Sequence, residues 1–151
     1  MAYLKIFLWG LLPVVEMRGA IPAGLLYFKL PVFWVATFSL LGSWLGGTLV
    51  LFLLSYIEPL IDRINFLKQI KEKIFRYTRA KHQKNFRKVG LALVFLLAAI
   101  PIPVLGGSYT AALVAYLFSE AKIKNLALIF AGLIIQAIII VFVLQSRQLI
   151  F

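Results

Sequence analysis

VGLALVFLLAAIPIPVLGGSYTAALVAYLFS, residues Val89–Ser119, is too long and too broken to be one membrane helix. As a single helix its 31 residues would extend about 46 Å at a rise of about 1.5 Å per residue. The hydrocarbon core of a bilayer is about 30 Å thick. Divided at Pro101-Ile102-Pro103-Val104-Leu105-Gly106-Gly107-Ser108, the stretch leaves Val89–Ile100 and Tyr109–Ser119, each too short to cross. The pattern predicts a re-entrant hairpin that goes part way in, turns, and leaves on the same side. Irregular backbone at that depth is tolerated only when buried in protein or lining a wet cavity.

The rest of the chain supports a membrane setting. Of its 151 residues 63% are hydrophobic and the mean hydropathy is +0.99, whereas soluble domains are about 45–50% apolar. Three further apolar stretches occur: Tyr3–Phe28, Pro31–Tyr56 and Ile123–Gln145. The last two suit one transmembrane helix each. Gly42 and Gly46 in the former have the small-xxx-small spacing of closely packed helices. The Tyr3–Phe28 stretch is interrupted by Glu16-Met17-Arg18-Gly19-Ala20-Ile21-Pro22. Its amino-terminal part lacks the cleavage pattern of a signal peptide. The order is then broken segment, helix, basic link, broken segment, helix, which reads as an inverted repeat. Gly/Pro-interrupted segments at matching positions of two halves point to a transporter site. The expected fold is an all-α, multi-pass integral protein of the cell membrane. It has one domain, residues 1–151, with two re-entrant helical hairpins and two transmembrane helices. The first half covers 3–57, the link 58–88 and the second half 89–151.

Ten of the 16 Lys/Arg residues lie between Arg63 and Lys88. Basic charge flanking a membrane span marks the cytoplasmic side and attracts anionic lipid, so the net charge of +11 is not read as a nucleic-acid signal. Ile61, Ile64, Leu67, Ile70, Ile74 and Tyr77 recur on one helix face, which predicts a basic amphipathic helix on the membrane surface or packed on the bundle. The positive-inside rule gives the same charge count for two hairpins as for four full spans. Segment length decides for hairpins.

Glu16 and Arg18 are the sharpest functional signal. A charge at the centre of a membrane helix costs about 2.5–3.5 kcal/mol on insertion scales. Such groups face a bundle interior or a cavity, either as an ion pair that locks the fold or as a site for a charged substrate or a proton. Pro22 removes a backbone donor and frees the Arg18 carbonyl. A helix starting near Ile21, after Gly19, would then present amides to an anion. Pro101, Pro103, Gly106, Gly107 and Ser108 would line the site from the second loop, the last three through their amides. Gln136 suits an interhelical hydrogen bond, and Trp9, Trp34 and Trp44 suit interface anchoring or packing. With no cysteine and one histidine (His82), no metal site is expected, nor any cofactor. Without a nucleophile–base constellation, no enzyme is expected.

Glu16-Met17-Arg18-Gly19-Ala20-Ile21-Pro22 resembles the E-x-R-G-A-I-P signature of the putative small multidrug export protein family. The Pro101–Tyr109 loop resembles that family's second motif, P-x-P-x-x-G-x-[WY]-T, with one extra residue before Tyr109-Thr110. The family is similar to the DedA/VTT superfamily, which implies paired re-entrant hairpins and, in some members, movement of lipids or lipid phosphates.

The leading expectation is a transporter or flippase for a charged amphiphile such as a lipid phosphate, with proton coupling through Glu16. Two alternatives stand beside it. One is a cation or drug exporter using Glu16; the other is a membrane scaffold whose buried charges are structural. The expected partners are the bilayer, a charged small-molecule or lipid substrate, and a second copy of the chain to enclose a pathway. The hairpin topology puts Lys29 and Lys122 on opposite membrane faces. Single variants Lys29→Cys and Lys122→Cys should therefore react with an impermeant thiol reagent from opposite sides. Equal labelling of both from one side would contradict the hairpins.

Overall fold

The computed structural model describes residues 1–61, 69, 83–102, 106–118 and 122–148. The described residues form helices and the turns between them, without strands. In chain order these are α1 (Ala2–Leu11), α2 (Glu16–Pro22), a π-helical turn (Ala23–Tyr27) and α3 (Val32–Ile61). They continue with α4 (Gln83–Ala99), α5 (Ser108–Phe118) and α6 (Lys122–Gln148). The amphipathic surface helix expected between Glu58 and Lys88 falls almost entirely outside the described residues, as does His82.

Two helices contain stretches long and apolar enough to cross a bilayer, Val32–Ile57 of α3 and Lys122–Ser146 of α6. The shorter apolar helices Ala2–Leu11, Lys88–Ala99 and Ser108–Leu117 are not. Their ends follow from local chemistry. Leu12 precedes Pro13 and is extended, with φ −79° and ψ 131°, because a proline ring disfavours the α conformation in the residue before it. Ile100 precedes Pro101 in the same way and ends α4. The break in the first apolar stretch is therefore at residues 12–15. This corrects the expectation that Glu16–Pro22 is the interruption. Those seven residues are helical, and Pro22 leads into the π-helical turn instead of ending the helix.

α1 runs alongside α3 in the same direction. Tyr3 stacks on Phe38, Phe7 lies against Gly42, and the Ser43 hydroxyl donates to the Gly10 carbonyl at 3.0 Å. Each contact joins residues about 33 apart in sequence, which only parallel helices maintain. The chain thus reverses direction between the end of α1 and the start of α3. α6 runs opposite to α3: Lys122 lies over Phe52, while Trp44 donates to the Leu126 carbonyl at 3.2 Å and packs on Phe130.

The glycines set the helix spacing. A Cβ on Gly42 would meet the Phe7 carbonyl, and one on Gly132 would lie 2.6 Å from Ala98 and 2.8 Å from the Phe95 carbonyl. α3 uses Gly42 to approach α1, and α6 uses Gly132 to approach α4. The small-xxx-small residues of α3 thus serve packing within the chain. Gly42→Ala should lower thermal stability in detergent by about 1–3 kcal/mol, the usual cost of overpacking a core. Leu49→Ala, at an exposed position of the same helix, should change stability far less.

Candidate functional site

The two broken segments meet at Glu16. Its Oε1 accepts hydrogen bonds from the Ser108 backbone N–H and the Ser108 hydroxyl, both at 2.6 Å. Its Oε2 accepts from Arg18 Nη2, also at 2.6 Å. Arg18 Nη2 donates in addition to the Gly106 carbonyl, and Nη1 donates to the Ile102 carbonyl. A carboxylate and a guanidinium from the first half are thus wrapped by backbone and hydroxyl groups of the second.

Local backbone explains how residues two apart can pair. Side chains at i and i+2 point away from each other on a regular helix. Glu16, however, begins α2 with φ 45°, a left-handed conformation that non-glycine residues adopt rarely and at some cost. That turn redirects its carboxylate toward Arg18. Such conformations persist only where the surroundings hold them in place, and here three charge-assisted hydrogen bonds do so.

Gly107 is the counterpart in the second loop. Its φ is 105°, a region suited to glycine, and a Cβ there would overlap both the Glu16 carboxylate and the Arg18 guanidinium. The loop can close on the charge pair only because Gly107 has no side chain. Gly46 and Gly47 of α3 form the floor. A Cβ on Gly47 would lie 2.9 Å from Ser108, and one on Gly46 would overlap the Tyr109 hydroxyl. That hydroxyl donates to the carbonyl of Leu11, the last residue of α1.

The expected site residues divide into three groups. Glu16, Arg18, Gly106, Gly107 and Ser108 come together. Gly19 and Pro22 do not join them directly. The Gly19 N–H is taken by the Val15 carbonyl at 2.9 Å, and its open side faces Val15. Because α2 begins at Glu16, no helix start near Ile21 presents amides. Pro101 ends α4, and Pro103 lies outside the described residues. Of the three amides expected to point into the site, only that of Ser108 does. Those of Gly106 and Gly107 bond the Ile102 and Leu97 carbonyls at 3.1 and 2.7 Å. Tyr109, Gly46 and Gly47 were not recognised as site residues in the sequence. The position of Tyr109 immediately after the second loop was the available signal. The hydrogen bond expected of Gln136 is absent: it is fully buried with neither amide atom bonded.

With this geometry in place, the comparisons with known proteins identify the site's first motif as the edge of a family match. The putative small multi-drug export protein family matches the chain over residues 16–139. The chain belongs to this family. The match begins at Glu16 and takes in the second loop, so both arms of the charged site lie within it. Together with the two apolar helices, membership makes this a membrane protein. Comparison with curated proteins and with solved structures gave no match.

Among the described residues no cluster of three or more His, Asp or Glu suits a metal ion. The arrangement offers charge neutralisation and hydrogen bonding. Gly107→Ala should separate the loop from Glu16 and lower thermal stability. Ser108→Ala, which keeps the backbone N–H, should have a smaller effect of about 1.5–3 kcal/mol, the value of one hydrogen bond to a charged group. Thermal unfolding in detergent of both variants beside the parent protein checks the order.

Proposed function

We propose that this protein is a multi-pass transporter of the cell membrane that moves an amphiphile with an anionic headgroup across the bilayer, and that Arg18 holds that headgroup. The observation carrying this reading is the unequal use of the two charges. Glu16 is 2% exposed and spends its carboxylate on Ser108 and Arg18. Arg18 is 19% exposed. A guanidinium has five N–H donors, and the three bonds to Glu16, Gly106 and Ile102 leave some of them unused. The cation therefore has capacity for a further oxygen ligand, whereas the carboxylate has little for a cation. A lipid phosphate has the matching chemistry, and a planar guanidinium binds such oxygens well.

The parallel packing of α1 on α3 supports re-entrant hairpins, because a chain that returned after crossing once would run antiparallel to its predecessor. Matching glycine contacts, Gly42 with α1 and Gly132 with α4, support two related halves. On this reading the tips enter from opposite faces and meet at the charge pair. The family description, small multi-drug export, supports a second reading; in it Glu16 would bind a cationic cargo and Arg18 would be its structural mate.

Neutral replacements separate these readings from a purely structural pair. In a structural pair, Glu16→Gln or Arg18→Met alone strands a buried charge at a cost of about 3–5 kcal/mol, and the double variant recovers both folding and function. In a binding site, the double variant folds but does not transport, because a substrate's charge cannot be removed along with the residue's. Transport of a fluorescent phosphatidic acid in proteoliposomes should be lost in Arg18→Met and in the double variant. Normal transport by the folded double variant would refute the binding role. Export of a cationic dye that survives Arg18→Met and fails in Glu16→Gln would favour the drug-export reading.

A further inference from the structure

We infer that Gln136 of α6 is a third substrate-binding residue, whose side-chain amide bonds headgroup oxygens during transport; this rests on the anionic-headgroup reading above. Gln136 is 0% exposed, and among the described residues neither its Nε2 nor its Oε1 has a hydrogen-bond partner. A buried amide left without hydrogen bonds is destabilising. A leucine would fill similar volume without that penalty, so packing does not explain a glutamine there.

Its location supplies the reason. Gly132 of α6 packs on the last turn of α4: a Cβ there would lie 2.6 Å from Ala98 and 3.1 Å from the Ala99 nitrogen. That same turn anchors the charged site, because the Leu97 carbonyl accepts the Gly107 N–H at 2.7 Å. Gln136 lies four residues beyond Gly132, on the same helix face and about 6 Å along the axis at a rise of about 1.5 Å per residue. α6 also packs against α2, which carries Glu16 and Arg18. A fully buried amide without a partner among the described residues thus lies one helical turn beyond the glycine that packs on the turn anchoring the charged site.

The chemistry suits the proposed cargo. A carboxamide donates through two N–H groups and accepts through its oxygen. It can bond a phosphate oxygen or a glycerol hydroxyl without adding a charge that must be neutralised when the site is empty. Arg18 would supply the charge and Gln136 a neutral, directional contact on the opposite wall.

Gln136→Leu and Gln136→Asn test this in the full-length protein, reconstituted in phosphatidylcholine vesicles with a fluorescent phosphatidic acid as probe. Gln136→Leu should be at least as thermally stable as the parent and transport at least tenfold more slowly. Gln136→Asn keeps the amide but shortens its reach, and should raise KM with little change in maximal rate. If Gln136→Leu does not fold, the KM of Gln136→Asn decides: a raised value supports the assignment and an unchanged one overturns it. Parent-like transport by Gln136→Leu overturns this assignment alone. A parent protein that moves no phosphatidic acid overturns it together with the function it rests on.

Discussion

The Glu16 carboxylate must be hydrogen-bonded, and nearly everything in the described structure follows from how that is done. A buried, ionised carboxylate without partners is far more costly than any single packing contact. Its own half of the chain supplies Arg18; the remaining donors are the amide and hydroxyl of Ser108, 92 residues away. Meeting that requirement brings the two broken segments together. Gly107 must lack a side chain, Gly46 and Gly47 must leave room beneath, and α1 must stop at Leu11 so that Glu16 can turn inward. The charge pair thus does the organising that a large apolar core does in a soluble protein.

The same requirement explains why, among the described residues, two helices of spanning length are accompanied by three shorter apolar ones. A helix that stops within an apolar region leaves its terminal backbone groups without partners, and lipid offers none. Here those groups find them inside the protein. The Leu11 carbonyl takes the Tyr109 hydroxyl, the Gly10 carbonyl takes Ser43, and the Ile102 and Gly106 carbonyls take Arg18. Arg18 therefore has two duties. It neutralises Glu16, and it caps the broken backbone of the other half.

Much of this was legible in the sequence because it depends on length, proline and charge. The excess length of Val89–Ser119 marked the second break, and the isolated Glu16 and Arg18 marked the site. What escaped was conformation. Nothing in Glu16 itself signals a positive φ, so the pair looked badly spaced for contact until the turn was seen. The true break at Pro13 was obscured because Pro22 lies closer to the charges and looked like the interruption. The fates of the Gly106 and Gly107 amides depend on where the loop folds back onto α4, which no local pattern encodes. Gln136 was read as a helix–helix hydrogen bond because that is the ordinary use of an intramembrane glutamine; its lack of a partner appears only in three dimensions.

The central claim is that Glu16 joins the two halves through Ser108, and a double-mutant cycle measures this directly. Glu16→Gln, Ser108→Ala and the double variant would be unfolded in mixed micelles beside the parent protein. The structure predicts a coupling energy of about 1–3 kcal/mol, the range for groups sharing a hydrogen-bond network. Effects that add within about 0.5 kcal/mol would mean that the residues do not touch, and the account of two segments closing on one charge pair would be wrong.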